Sequence, residues 1–178
     1  MKKTFLTIIA LGAMNVWAMG QGTWTSGQSM PTSRYNLSVI AAEYSGDIFA
    51  IGGQGGAGIY DRVERYSPWI DTWDTACARM PKPKMSCGTG AVADVVYLIG
   101  GSDAATYFSS VYAYNTLENT WDTLKTPMPQ GPRSEMASAA FNGVIYLFGG
   151  SNGGLPLNRV EAYDPIADTA GGIPWQTK

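Results

Sequence analysis

The chain has 178 residues, enough for one domain of ordinary size, with 12 basic and 14 acidic side chains. Only 15% of residues are charged, 12% are aromatic and 22 are glycine; this mix suits an all-β protein with many tight turns and argues against a disordered chain, a helical bundle or a nucleic-acid footprint. There is no histidine, which removes the commonest general base, the commonest metal ligand and the usual serine or cysteine triads.

Residues 1–18 read as an export signal peptide. Lys2 and Lys3 make a positive start, Phe5 through Met14 carry no charge, and Val16-Trp17-Ala18 puts small residues at the −3 and −1 positions of a cleavage site. The apolar stretch is short for a bilayer span, so stable membrane insertion is not expected. Loss of Lys2 and Lys3 leaves 10 basic residues against 14 acidic, a net charge of −4. Thr23-Trp24-Thr25 has the pattern of a short strand.

From there the chain repeats itself, at a period that marks solenoids, propellers or arrays. Ile48 to Gly53 matches Val95 to Gly101 and Val144 to Gly150, each an apolar run ending in a glycine pair, and the pairs recur at intervals of 48 and 49 residues. A run that is apolar at successive positions fits a strand buried on both faces. The segment before each run is rich in small residues: Ala41-Ala42, Gly88 to Ala93, and Ala137 to Ala140. Asn142-Gly143 favours a type I′ hairpin between two such strands. A tyrosine lies 13 residues beyond the second glycine, at Tyr66, Tyr114 and Tyr163, ending strands that start at Val63, Val111 and Val160. A tryptophan follows seven residues later at Trp73 and Trp121, and twelve later at Trp175, across an insert from Ala167 to Ile173.

Three copies in register of the pairs Gly52-Gly53, Gly100-Gly101 and Gly149-Gly150, each followed by the spaced tyrosine and tryptophan, resemble the kelch-repeat β-propeller family from Trp24 to Trp175. The resemblance implies an all-β fold of kelch-type β-propeller blades. Residues 19–178 would form three four-stranded antiparallel blades, over about 24–73, 74–121 and 122–178, with the small-residue strand innermost. A closed propeller has four to eight blades, so the ring is incomplete. Thr23-Trp24-Thr25 would be an outer strand without partners, the kind that closes a last blade in such rings. Either more blades belong to a longer chain, or two copies join head to tail as a homodimer with a six-blade ring.

No catalytic constellation stands out, and no cofactor is expected. Asp71 and Asp74, Glu118 and Asp122, and Asp164 and Asp168 fall between the third and fourth strands, where solvated turn carboxylates are common. Cys77 and Cys87 could form a disulfide in an oxidising compartment or remain small buried thiols; without histidine they make no zinc site. The loops after the glycine pairs differ most among the copies and carry Tyr60, Asp103, Tyr107 and Asn152, candidates for contact with a ligand. Arg34, Lys84 and Arg133 begin the innermost strands. They could ring one mouth of the channel and meet an acidic sugar, or pair with acidic neighbours.

Two functions follow. One is an exported binding or interaction module, periplasmic or extracellular, that recognises a protein or glycan through its loops and channel mouth. The other, implied by the resemblance, is a sugar mutarotase or epimerase like the periplasmic kelch-like sialic-acid mutarotases. The copper oxidases of similar architecture need histidines that this chain lacks.

Overall fold

The computed structural model describes residues 24–178. The expected signal peptide, residues 1–18, and Thr23 lie outside the described residues. Blade 1 is built from β1 (Ser38–Ala41), β2 (Ile48–Ile51), β5 (Val63–Ser67) and β6 (Thr72–Asp74), in that order across the sheet; a small hairpin of β3 (Gln54–Gly55) and β4 (Gly58–Ile59) follows its glycine pair. Blade 2 contains β7 (Gly88–Val92), β8 (Val95–Ile99), β9 (Val111–Asn115) and β10 (Thr120–Lys125); blade 3 contains β11 (Ala137–Phe141), β12 (Val144–Phe148), β13 (Val160–Tyr163) and β14 (Trp175–Thr177). All neighbouring strands are antiparallel. The outer strand of blade 2 runs on to Lys125, past the expected boundary at 121, with a register shift between Asp122 and Lys125.

Blade 2 lies between blades 1 and 3, and each junction holds one apolar cluster. Phe49, Ile51 and Met80 pack with Val96, Leu98 and Tyr114; Tyr97, Ile99 and Met128 pack with Ile145, Leu147 and Tyr163. The continuous apolar run of β8 is thereby explained: Val96 and Leu98 enter one junction, and Tyr97 and Ile99 enter the other. The small residues of β7 are required where the blades converge. A Cβ on Gly88 would stand 2.7 Å from Leu147, and one on Gly90 would stand 2.6 Å from Ile145. Asn142 and Gly143 have φ of 49° and 75°, as the I′ hairpin between β11 and β12 demands.

A clasp repeated three times ties each outer strand to the segment that precedes its blade. The tyrosine hydroxyl donates to an Asx side chain five residues on: Tyr66 to Asp71 (2.8 Å), Tyr114 to Asn119 (2.7 Å), Tyr163 to Asp168 (2.6 Å). The same Asx accepts a backbone N–H from the preceding segment, from Gln28, Ala78 and Thr126 respectively. The carbonyl of that same residue accepts from the tryptophan indole: Trp73 to Gln28, Trp121 to Ala78, Trp175 to Thr126. Asp71 and Asp168 are therefore clasp acceptors rather than merely solvated turn residues.

Trp24, expected in an outer strand without partners, is fully exposed and lies in none of the described sheets. The insert in the third repeat holds a single-turn helix, α1 (Pro165–Thr169), whose first amides at Ile166 and Ala167 are capped by the Asp164 side chain. Cys77 and Cys87 are free thiols.

Candidate functional site: the axial groove and its loops

The three inner strands converge on a common axis. At their start Asn36, Ser86 and Glu135 adopt left-handed backbone conformations, with φ of 54°, 54° and 60°. This lets Ser86 N–H donate to the Asn36 carbonyl (2.8 Å) and Glu135 N–H donate to the Ser86 carbonyl (2.9 Å), stitching blade to blade around the axis. At the other end of the same strands lies a groove of about 560 Å³, to which all three blades contribute: Ile40 and Ala42 from blade 1, Ala91 and Val92 from blade 2, Ala140 and Phe141 from blade 3. Its one charged lining residue is Glu43, whose carboxylate accepts from the Ala93 amide (3.1 Å). Phe141 is exposed at the rim. The small side chains of Ala41, Ala42, Ala91 and Ala140 in the lining leave the space.

Arg34, Lys84 and Arg133 do not ring a mouth. Each side chain is buried and turned into its own blade, and of the two readings of these residues Arg34 and Arg133 follow the one in which they pair with acidic neighbours. Arg34 Nη1 donates to Glu64 (2.8 Å) and Nη2 donates to the Ala50 carbonyl (2.9 Å); Arg133 Nη1 donates to Glu161. A charged guanidinium in a packed sheet requires such a partner. Glu64 and Glu161 each follow the valine that opens the third strand, but blade 2 has Tyr112 at that position. Lys84 accordingly has no carboxylate. Its ammonium donates to Ser110 Oγ (2.7 Å) and lies over the rings of Tyr112 (3.7 Å to the centroid) and Phe108 (4.9 Å). Burial, and after it the nearby Lys82 ammonium, pushes the Lys84 amine down from 10.5 to about 8.

The loop candidates are spread over the three post-glycine loops. Tyr60 is half-buried over the β3–β4 hairpin, close to Gly55. Asp103 caps its own loop through the amides of Thr106 (2.8 Å) and Ala105 (3.3 Å) and pairs with Lys82 (3.4 Å). Tyr107 reaches the loop of blade 3, where its ring occupies the space beside Gly153, next to the exposed Asn152. The structure therefore brings Tyr107 and Asn152 into one surface, leaves Tyr60 on blade 1, and gives Asp103 to loop structure. Sequence reading missed the groove-lining set of Ile40, Val92 and Phe141. The signal was present in the small residues at matching positions of the inner strands, which open the space that these side chains border.

Among the described residues no group of three or more metal-ligating side chains comes together, and no helix is long and apolar enough to cross a membrane.

Residues 41–177 match the family model described as the KLHDC2/KLHL20/DRC7 Kelch-repeats domain. No curated protein matches the chain in sequence. Of 149 solved chains that match, the structure of YjhT superposes with a TM-score of 0.74 at 14% identity, over 88% of this chain and 55% of that chain. The present chain thus spans about half the length of that neighbour, and at this identity the likeness speaks for the fold.

Proposed function

Because the chain belongs to the Kelch-repeat family, its match covering residues 41–177, we propose that it is a binding module that holds a protein or glycan partner across the axial groove and the adjoining loops. The observation that carries this reading is the groove itself: an open space of about 560 Å³, walled by all three blades, with small apolar residues inside and Phe141 at its rim. Concave, mostly apolar clefts with a few polar groups are the usual form of a ligand site. The pattern of residues 1–18 supports export to the periplasm or beyond. The three blades act within a larger ring, completed by further blades or by a second copy. The mutarotase alternative draws no support from the basic residues, which are turned into the blades and paired.

The test is a screen of the folded chain, immobilised, against glycans and cell-envelope proteins. A saturable partner whose affinity falls at least tenfold in Phe141→Glu supports the reading. Absence of any partner, or binding indifferent to Phe141→Glu and to Tyr107→Ala, removes it. Faster anomer exchange of free sialic acid on adding the chain would replace binding with catalysis.

A further inference from the structure

Both blade junctions are assembled from one set of contacts. In the first, Met80 N–H donates to the Asp61 carbonyl (2.8 Å), Gly53 N–H to the Lys84 carbonyl (3.0 Å) and Ser86 N–H to the Asn36 carbonyl (2.8 Å). In the second, Met128 N–H donates to the Ser109 carbonyl (2.8 Å), Gly101 N–H to the Arg133 carbonyl (3.0 Å) and Glu135 N–H to the Ser86 carbonyl (2.9 Å). The methionine and the basic residue's carbonyl fill the recess over the first glycine of the pair. A Cβ on Gly52 would lie 2.3 Å from the Lys84 oxygen and 2.9 Å from Met80 Cε; on Gly100 it would lie 2.5 Å from the Arg133 oxygen and 2.9 Å from Met128 Cε. One edge-to-face aromatic pair crosses each junction, Phe49–Tyr114 and Tyr97–Tyr163, both with centroids 5.8 Å apart.

The two halves of a third such junction stand free on the end blades. On blade 3, the Asn158 carbonyl, the Gly150 N–H and the Glu135 carbonyl hold the matching positions and have no partner among the described residues. The recess over Gly149 is open, a Cβ there meeting only the Leu157 oxygen of its own loop at 3.2 Å. Phe148 is 45% exposed, whereas its counterparts Ile51 and Ile99 are 1% and 0% exposed. On blade 1, the Met30 N–H, the Arg34 carbonyl and the Asn36 N–H likewise have no partner among the described residues. Met30 and Tyr66 are half-buried there, although Met80, Met128, Tyr114 and Tyr163 are all buried.

We infer that blade 1 of a second copy docks on blade 3 through this same junction, with Met30 over Gly149 and Tyr66 edge-on to Tyr146, and that two such junctions close a six-blade ring. The inference rests on the reading above that three blades work within a larger ring. Six blades fall within the range of closed propellers. The arrangement is a two-fold dimer in which each copy gives one face and receives the other, so no unpaired face is left to propagate.

The experiment is light scattering after size exclusion on the purified chain, with circular dichroism on the same peak. The expected result is a β-rich species of twice the mass of one chain. Met30→Glu and Phe148→Glu each give folded monomers, and mixing the two restores a dimer through the one junction that is intact in the pair. Leu124→Glu, at a fully solvated position on an outer strand, leaves the dimer as it was. A folded wild-type monomer, an open ladder of larger species, or a dimer indifferent to Met30→Glu overturns the inference. The binding screen on the same samples keeps the two readings apart: a monomer that binds sinks only the ring, and a dimer that binds nothing sinks only the binding reading.

Discussion

Lys84 stands where the other two repeats have an arginine, and Tyr112 stands where they have a glutamate. The exchange turns an ion pair into a buried ammonium with one hydroxyl acceptor and two aromatic faces. A lysine held at about 8 against an ordinary 10.5 binds fewer protons folded than unfolded across that interval. The contribution of Lys84 to stability should therefore rise as pH goes from about 8 towards 10.5, with its penalty complete below 8, while the buried Cys87 thiol, pushed up from 9.0 to about 11, opposes the rise above about 9. Denaturant midpoints at pH 7 and 9.5 test this, and Lys84→Met should match or exceed the parent at pH 7 and lose the rise. Arg133 is the converse case. Arg133→Met leaves Glu161 charged and buried and should cost about 3–5 kcal/mol, most of which is recovered in the double variant Arg133→Met with Glu161→Met. These partnerships were not legible in the sequence. Arg34 and Glu64 are 30 residues apart across variable loops, so that only the fold brings them to 2.8 Å.

At the scale of the element, the inner strand β7 is limited by space. Gly90→Val would drive a branched side chain into Ile145 and should destabilise by about 1–3 kcal/mol or more, read as a lower denaturant midpoint at unchanged slope. The clasp makes a sharper prediction at Asp71. The Gln28 amide and the Tyr66 hydroxyl hold its carboxyl below the ordinary 3.8. Its contribution is thus present above about pH 4 and is lost as pH falls through the lower folded value. Asp71→Asn, the residue that blade 2 carries naturally at Asn119, should keep the fold and flatten the acid limb of the stability curve. Strands announced themselves because their signals are local: an apolar run, a glycine pair, a tyrosine at fixed distance. The Asx five residues after each tyrosine was equally regular, but as a turn residue it looked ordinary until its two donors were in place.

At the scale of the whole molecule, three blades were legible because the repeat itself is three copies long, while the groove depends on how far inner strands from different repeats converge. The junctions carry a consequence for how the protein comes apart. Among the described residues both apolar clusters lie at the blade interfaces, one at each, so cohesion acts between nearest neighbours, as in a stack of coupled units. The middle sheet is gripped on both sides and each outer one on a single side. Amide exchange in an isolated chain should then slow towards β8 and quicken towards β1 and β11, with opening that begins at either end and travels inwards. A closed ring has no ends from which to begin, and its protection would even out from sheet to sheet.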